Sequence, residues 1–399
     1  MTATATEPVR PARVPDLIPA RGIADIEDGH GYLRTAGYRR SPSDIPLPAA
    51  LVRQYGLRRG DAIEGTAAPA STAPATTPQA TTPRTAGHRG SKPGATLTDI
   101  TLISGLTPSA ARKRPAFDDL TPLYPSERLR LEDGDTSPTA RMIDLLAPIG
   151  KGQRGLIVAP PKAGKTMILK TIAHAVATAH PEVHLMLVLV GERPEEVTDL
   201  LRTVRGEVIS STFDESPADH VRAAELAIER AKRLAELGRD VVVLLDSLTR
   251  LGRAYNLAAP ANGRTLTGGV AATALQPPRQ FLGAARNLEE GGSVTIVSTA
   301  LIDTGSQLDN VLFEEFKGTG NMELRLRRDL AERRLFPAID PASSGTRRDD
   351  LLMDPAEHAA VTSLRRALAA LDPQHAVELL LDKTRQPTAQ FLRQVQTAR

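Results

Sequence analysis

Ala159-Pro160-Pro161-Lys162-Ala163-Gly164-Lys165-Thr166 follows a short apolar run, residues 155–159, and precedes a segment of helical pattern, residues 167–178. The order is strand, tight loop, helix, and it decides the fold. The loop matches a phosphate-binding P-loop with Ala159 in place of the usual first glycine. In such a loop the backbone N–H groups turn inward around an anion, and the positive end of the helix faces it. Gly164 permits close backbone approach, Lys165 reaches the β- and γ-phosphates of ATP, and Thr166 offers its hydroxyl to Mg²⁺. A chance loop with a surface lysine would need neither the strand before it nor the helix after it.

Further strand segments at 185–190, 208–211, 241–245 and 294–300 alternate with amphipathic segments, the pattern of a parallel α/β sheet. The clearest helix starts at Ser216 as its cap, with Pro217 in the first turn and Asp219 completing a capping box. Val221, Ala224, Ile228, Ala231 and Ala235 share one face, and Gly238 ends it. Two carboxylates fall where strands should stop. Asp246 closes the run from 241, at the edge where open α/β sheets bind ligands, and is a metal-side candidate; capping the next helix is compatible with that role. Glu192 follows the run at 185–190 and is a candidate to orient or deprotonate water. The plain alternative is that Glu192, Glu195 and Glu196 decorate a helix start.

The remaining chain divides by texture. Residues 1–22 read as a disordered tail. Residues 23–111 read as a small β-rich domain with a strand at 97–103, interrupted by an Ala/Thr/Pro/Gly-rich linker at 66–94. Residues 112–149 form a connector, 150–352 the α/β domain and 353–399 a helical end. There is no internal repeat. The 399 residues include no cysteine, which excludes disulfides and thiolate chemistry and suits a reducing compartment. A net charge of +3 means that any nucleic-acid surface is local. Arginines 34, 39, 40, 53, 58 and 59, against the single acid Asp44 in that stretch, supply such a patch. No apolar run reaches the ~18 residues of a membrane span. A cytoplasmic protein without a membrane partner is expected.

Gly150-Lys151-Gly152-Gln153-Arg154-Gly155, the phosphate loop, Glu192-Arg193-Pro194-Glu195-Glu196-Val197-Thr198, Ser211-Thr212-Phe213-Asp214-Glu215, Asp246-Ser247-Leu248-Thr249-Arg250, Glu314-Glu315-Phe316-Lys317-Gly318-Thr319-Gly320-Asn321 and Ser344-Gly345-Thr346-Arg347 run together almost without gaps. They resemble the Rho family of transcription termination factors. The resemblance implies a RecA-like P-loop NTPase core, a cold-shock/OB-like N-terminal domain and a helical C-terminus. It implies a homohexamer with ATP and Mg²⁺ between neighbours, acting as a 5′–3′ RNA helicase that releases nascent RNA from RNA polymerase. Lys165, Glu192, Asp246 and Arg347 would be catalytic, with Thr166 and Asp246 on the metal side. Arg347 would act as an arginine finger on the neighbour's ATP. Gly150 to Gly155, Lys162 to Met167 (Ala163 and Gly164 among them) and Arg193 would line the nucleotide, and Phe336 would pack on adenine.

By the same resemblance, single-stranded RNA would meet Gly29, His30, Gly31, Tyr32, Leu33, Arg34, Asp44, Ile45 and Pro46 in the N-terminal domain, with Lys92-Pro93-Gly94 near them. It would also meet channel loops at Arg264, Thr265, Leu266, Thr267, Gly268 and Gly269, and at Gln307. The chain departs from the family at Gly191 and Ala271, where Asp is usual, at Gln307, often Lys, and at His30 and Pro46, usually aromatic. Two other readings stay open: another hexameric RecA-like ATPase of the ATP synthase or export kind, and a divergent paralogue that binds RNA or co-assembles as a regulator.

Overall fold

The structure, a computed structural model, describes residues 17–69, 94–260, 265–266 and 268–397. Most of the expected tail and linker, with Lys92 and Pro93, lies outside the described residues. The chain forms two compact units, Met1–Lys113 and Arg114–Arg399.

The first unit is an antiparallel sheet of β1 (Ile18–Glu27), β2 (His30–Arg34), β3 (Ile45–Leu47), β4 (Ala62–Pro69) and β5 (Ala95–Ile103), in the order β3-β2-β1-β4-β5. Helix α1 (Ala49–Tyr55) separates β3 from β4. β3 also packs near β5, curling the sheet toward the closed OB-like form. Asp28 and Gly29 both have positive φ, 50° and 76°, which makes the two-residue hairpin whose twist suits flanking strands. Alternation along β2 then puts His30 and Tyr32 outside and Leu33 in the core.

In the second unit, β6 (Arg154–Ala159) is the phosphate-loop strand. Around it stand β7 (His184–Glu192), β8 (Glu207–Thr212), β9 (Asp240–Asp246), β10 (Ser293–Leu301) and β11 (Met322–Arg325), in the parallel order β8-β7-β9-β10-β6-β11. Residues 185–190 and 241–245 are buried throughout, because helices cover both faces of a parallel sheet; hence their unbroken apolar runs. Helix α2 (Lys165–Ala179) buries Ile168, Leu169, Ile172 and Val176. Helix α3 (Pro217–Ala235) begins as expected, with Ser216 Oγ accepting the Asp219 N–H at 3.3 Å and donating to Asp219 Oδ2 at 2.6 Å. It ends at Ala235, and Gly238 turns the chain three residues later at φ 74°.

Four expectations need correction. Ile18–Gly22 belong to β1, not to a tail, because they pair with β4. Thr66–Pro69 belong to β4, not to the linker, because they pair with β5. The stretch 112–149 is no mere connector: its Pro138–Leu146 helix buries every residue from Ala140 onward in the second unit's core. The C-terminal helices Pro355–Ala369, Pro373–Lys383 and Thr388–Thr397 add Val361, Leu364, Val377 and Leu380 to that same core.

The fourth correction concerns the basic patch. Leu33 and Ile45 are core residues, and Arg34 and Asp44 are buried as well. Arg34 Nη2 meets Asp25 Oδ2 and Nη1 meets Asp44 Oδ2, each at 2.5 Å, while Arg59 Nε donates to Asp25 Oδ1 at 3.0 Å. Arg34, Asp25 and Asp44 therefore hold the sheet together and do not face solvent, whereas Arg39, Arg40 and Arg53 of the same patch are exposed. Arg34→Met is expected to destabilise the first unit by about 3–5 kcal/mol, since buried carboxylates lose their cation. Hydrogen exchange across β1–β5 in the full chain measures this, and unchanged protection would show that the network contributes nothing.

Candidate active site

The carboxyl ends of β6, β7 and β9 converge. Gly164 caps α2 at φ 95°, which suits glycine, and Lys165 opens the helix. Lys165 Nζ donates to Glu192 Oε1 at 3.0 Å and to Asp246 Oδ1 and Oδ2 at 2.7 and 2.8 Å. Glu192 and Asp246 are 2% and 1% exposed. Glu192 faces inward because the ladder slips by one residue between Val190 and Glu192, around Gly191 at φ 65°. From β10, Thr299 Oγ1 donates to Asp246 Oδ1 at 2.7 Å. The three expected groups are thus in one cluster, and Thr166 follows directly on Lys165, half-buried.

Electrostatics sharpen the cluster. Burial pulls the Lys165 ammonium down, but Asp246 and then Glu192 outweigh it and hold it above the ordinary lysine value. Burial, and then the charge of Asp246, raise the Glu192 carboxyl above its ordinary value, against the pull of Lys165 and Arg250. Arg250, to which the sequence reading assigns no role, joins the cluster. Its Nη1 lies 2.9 Å from Glu192 Oε1 and also donates to the Gly191 carbonyl. It stands four residues after Asp246, in the first turn of the helix Leu248–Ala258, and that spacing was the available signal.

Of the other nucleotide candidates, some lie close and others do not. A Cβ built on Gly164 would meet the Phe336 ring at 3.5 Å, so the ring lies against the phosphate loop. Ala163 is buried, and Lys162 and Met167 are exposed beside the loop. Arg193 is exposed next to Glu192, 3.6 Å from Glu196. Gly150, Lys151, Gly152, Gln153, Arg154 and Gly155, however, stand at the opposite end of β6. Five residue steps at ~3.3 Å put Arg154 about 17 Å from Ala159. Lys151 pairs there with Asp240, the first residue of β9, at 2.8 Å, and with Glu127. Gly152 needs its φ of 88°, and a Cβ would strike Asn287 N at 2.2 Å. These residues shape the sheet's far end and do not line this chain's own phosphate loop. Arg347 is at the far end too, its N–H donating to the Asn321 carbonyl at 2.8 Å.

The two expected channel loops adjoin. Thr265–Leu266 pairs with Val270–Ala271 around Gly268 and Gly269, both at positive φ, and a Cβ on Gly268 would meet the Gln307 backbone at 3.2 Å. Asn256 Oδ1 accepts the Ala271 N–H at 2.7 Å and its Nδ2 donates to Gly269 O at 3.2 Å. Arg264 and Thr267 lie outside the described residues. In the first unit, Tyr32 is 44% exposed, His30 lies two residues before it on the same face, and Pro46 pairs with Tyr32 across the ladder; Gly29 and Gly31 flank them. Among the described residues there is no cluster of three or more His, Asp or Glu arranged to hold a metal by themselves, and no helix long and apolar enough to cross a membrane.

Lys165→Ala removes a cation that lowers Glu192. The folded Glu192 value, already raised, then moves further above the unfolded one, so stability falls as pH climbs from the ordinary glutamate range toward the folded value. Thermal unfolding without nucleotide at about pH 5 and about pH 8 is expected to show a larger loss for the variant than for the wild type. Equal losses would mean that Lys165 does not neutralise this pair.

Residues 139–346 match the nucleotide-binding domain of the ATP synthase alpha/beta family, and residues 20–83 match the RNA-binding domain of Rho termination factor. A type III secretion system ATPase of known structure has a TM-score of 0.60 at 21% identity, covering 76% of this chain and 94% of that one, which shows the RecA-like fold alone. Transcription termination factor Rho of Streptomyces lividans is 57% identical over 95% of this chain, which spans about half (52%) of that relative's length. Rho of Streptosporangium roseum is 55% identical over 94% of this chain and 91% of its own length. Matching a relative over 91% of its length at 55% identity, with matches to both an RNA-binding and a nucleotide-binding domain, this chain belongs to the Rho family of transcription termination factors.

Proposed function

We propose that the chain is an RNA-dependent ATPase, a 5′–3′ RNA translocase that works in the cytoplasm as a homohexamer and releases nascent RNA from RNA polymerase. The observation that carries this reading is the single contact cluster of Lys165 with Glu192 and Asp246 at the carboxyl edge of a RecA-like sheet. The family's RNA-binding domain, in residues 20–83, supplies the nucleic-acid half.

Two carboxylates hold the Lys165 ammonium. The β- and γ-phosphates of ATP compete for it and draw it away. Glu192 then keeps Arg250, and its raised basicity suits it to accept a proton from the water attacking the γ-phosphorus. The hard oxygen donors present suit Mg²⁺: Thr166 would hold it through its hydroxyl and Asp246 through water, and the ion would neutralise phosphate charge. Phe336 packs on the adenine, and Arg193, beside the γ-phosphate side, contacts the nucleotide. Arg347 stands about a strand length from its own phosphate loop, so it serves the neighbour's ATP. RNA passes Thr265, Leu266, Gly268, Gly269 and Gln307 in the channel, and bases stack on Tyr32 and, less well, His30 in the first unit. An export role has only a fold likeness behind it. A regulatory, co-assembling role remains the second reading, favoured by Gly191, Ala271 and Gln307.

Single-stranded RNA is expected to stimulate ATP turnover by the purified chain; turnover indifferent to RNA would defeat the translocase reading and leave the regulatory one. Glu192→Gln is expected to bind ATP normally and hydrolyse it about 10²–10⁴ times more slowly. Loss of binding together with turnover would make Glu192 structural. Mixed rings of Arg347→Ala and Lys165→Ala subunits, each inactive alone, should regain activity, because one interface can combine an intact loop with an intact arginine. No recovery in verified mixed rings would count against a shared site.

A further inference from the structure

β8 ends opposite Glu192, whose ladder partner is Thr212, and carries there a hydrogen-bonded relay that the hydrolysis step leaves unused. Ser211, wholly buried, donates its hydroxyl to Glu215 Oε2 at 3.0 Å. Glu215 also accepts the Thr212 N–H at 3.0 Å and the Thr212 hydroxyl at 3.2 Å, as a carboxylate without a proton does. The single hydroxyl proton of Ser211 is thus spent on Glu215. Ser211 Oγ lies 2.6 Å from Nδ1 of His220, in the first turn of α3, so it can only accept there. The ring therefore carries its hydrogen on Nδ1 and keeps a lone pair on Nε2.

That nitrogen stands at the Gly191 turn. A Cβ built on Gly191 would meet Arg250 Cδ at 3.4 Å and His220 Nε2 at 3.9 Å, so both side chains border the space that the glycine leaves beside its backbone. The far end of Arg250 reaches the chemistry, with Nη1 2.9 Å from Glu192 Oε1 and donating to the Gly191 carbonyl. Burial is the largest influence on the half-buried ring and holds it below the ordinary histidine value. Glu215, Asp219 and Asp214 oppose that shift, from the turn after β8 and the start of α3, while Arg250, from the helix Leu248–Ala258, adds to it. The ring is uncharged at neutral pH and gains its charge only in acid.

We propose that His220 is a positioning residue for hydrolysis, holding the Arg250 guanidinium on Glu192 for as long as its ring stays uncharged. The proposal rests on the reading of Glu192 as the group that accepts a proton from the attacking water. Once the phosphates draw Lys165 away, Arg250 is the cation that stays on Glu192 and keeps its carboxyl ionised. A lone pair turned toward a guanidinium attracts it. A protonated ring offers N–H groups at both nitrogens and a second positive charge, and it repels Arg250 from its place. Glu192 then loses its remaining cation and takes up a proton before the water can supply one. Ser211 and Glu215 act one step further back, since their hydrogen bonds decide which ring nitrogen keeps the lone pair.

The test is steady-state ATP turnover by the full-length chain with single-stranded RNA, followed from about pH 8 down to about pH 5.5. At the alkaline end H220A is expected to lower kcat at least about tenfold with little change in KM for ATP. H220Q, whose amide oxygen can stand in for Nε2 and cannot gain a charge, should recover most of that loss. Toward acid, wild-type kcat should fall more steeply than that of H220Q, by one further power of the proton concentration. Wild-type turnover by H220A overturns the proposal, and so does equal slowing of H220A and H220Q, which would make the ring mere packing. Parallel acid limbs for wild type and H220Q overturn it as well, because the charge on His220 then has no effect. Should H220A fail to bind ATP, the comparison of acid limbs decides alone. If E192Q is slow while H220A is not, the reading of Glu192 stands and only this proposal falls; if E192Q turns over normally, both fall together.

Discussion

One ammonium group between two buried carboxylates organises the second unit. Burying Glu192 and Asp246 together is unfavourable unless a cation sits between them, and Lys165 can do so only if three strand ends are brought level. The parallel register sets Leu189 opposite Asp246, the slip at Gly191 turns Glu192 inward, and β10 adds the hydroxyl of Thr299. On the proposed function, the contact that neutralises the pair is the one a triphosphate would compete for. Stability and readiness for phosphate are therefore two aspects of a single arrangement.

Much of this was legible because the signals were local. The phosphate loop announces itself through its flanking strand and helix. The central strands read as apolar runs because both sheet faces are covered, and Ser216 marks a helix start through its own hydrogen bonds. The losses were non-local. Counting charges from residue 34 to 59 misses Asp25, nine residues before Arg34, so Arg34 and Arg59, which belong to an ion-pair network, are counted with Arg39, Arg40 and Arg53, which are exposed. The segment 112–149 lacks strong periodicity, yet its helix is buried by partners more than 200 residues away, among them Arg365, which donates to the Leu146 carbonyl at 2.8 Å. Adjacency along the chain also misled at Gly150–Gly155: a strand separates that segment from the loop, and a strand carries its two ends apart.

The first unit shows how little of an interface need coincide with a motif. Of the residues in the matched stretch, alternation sends Leu33 and Ile45 to the core and leaves His30 and Tyr32 outside. The hairpin at Asp28 and Gly29 sets that phase, since shifting the turn by one residue would exchange the two faces. Base stacking, on this reading, depends on a turn with no contact to RNA.

The separation of the two ends of β6 has a consequence for assembly. On the proposed function a subunit offers a phosphate loop at one end and Arg347 at the other, so its faces are unlike, and unlike faces that complete each other join head to tail. Such contacts cannot close a two-fold dimer; they repeat by rotation until the circle shuts or continue as an open spiral. On the proposed reading each isolated copy holds two halves of different sites and no whole one. Hydrolysis then belongs to the junction rather than to the molecule, and dilution silences the protein without unfolding a single residue.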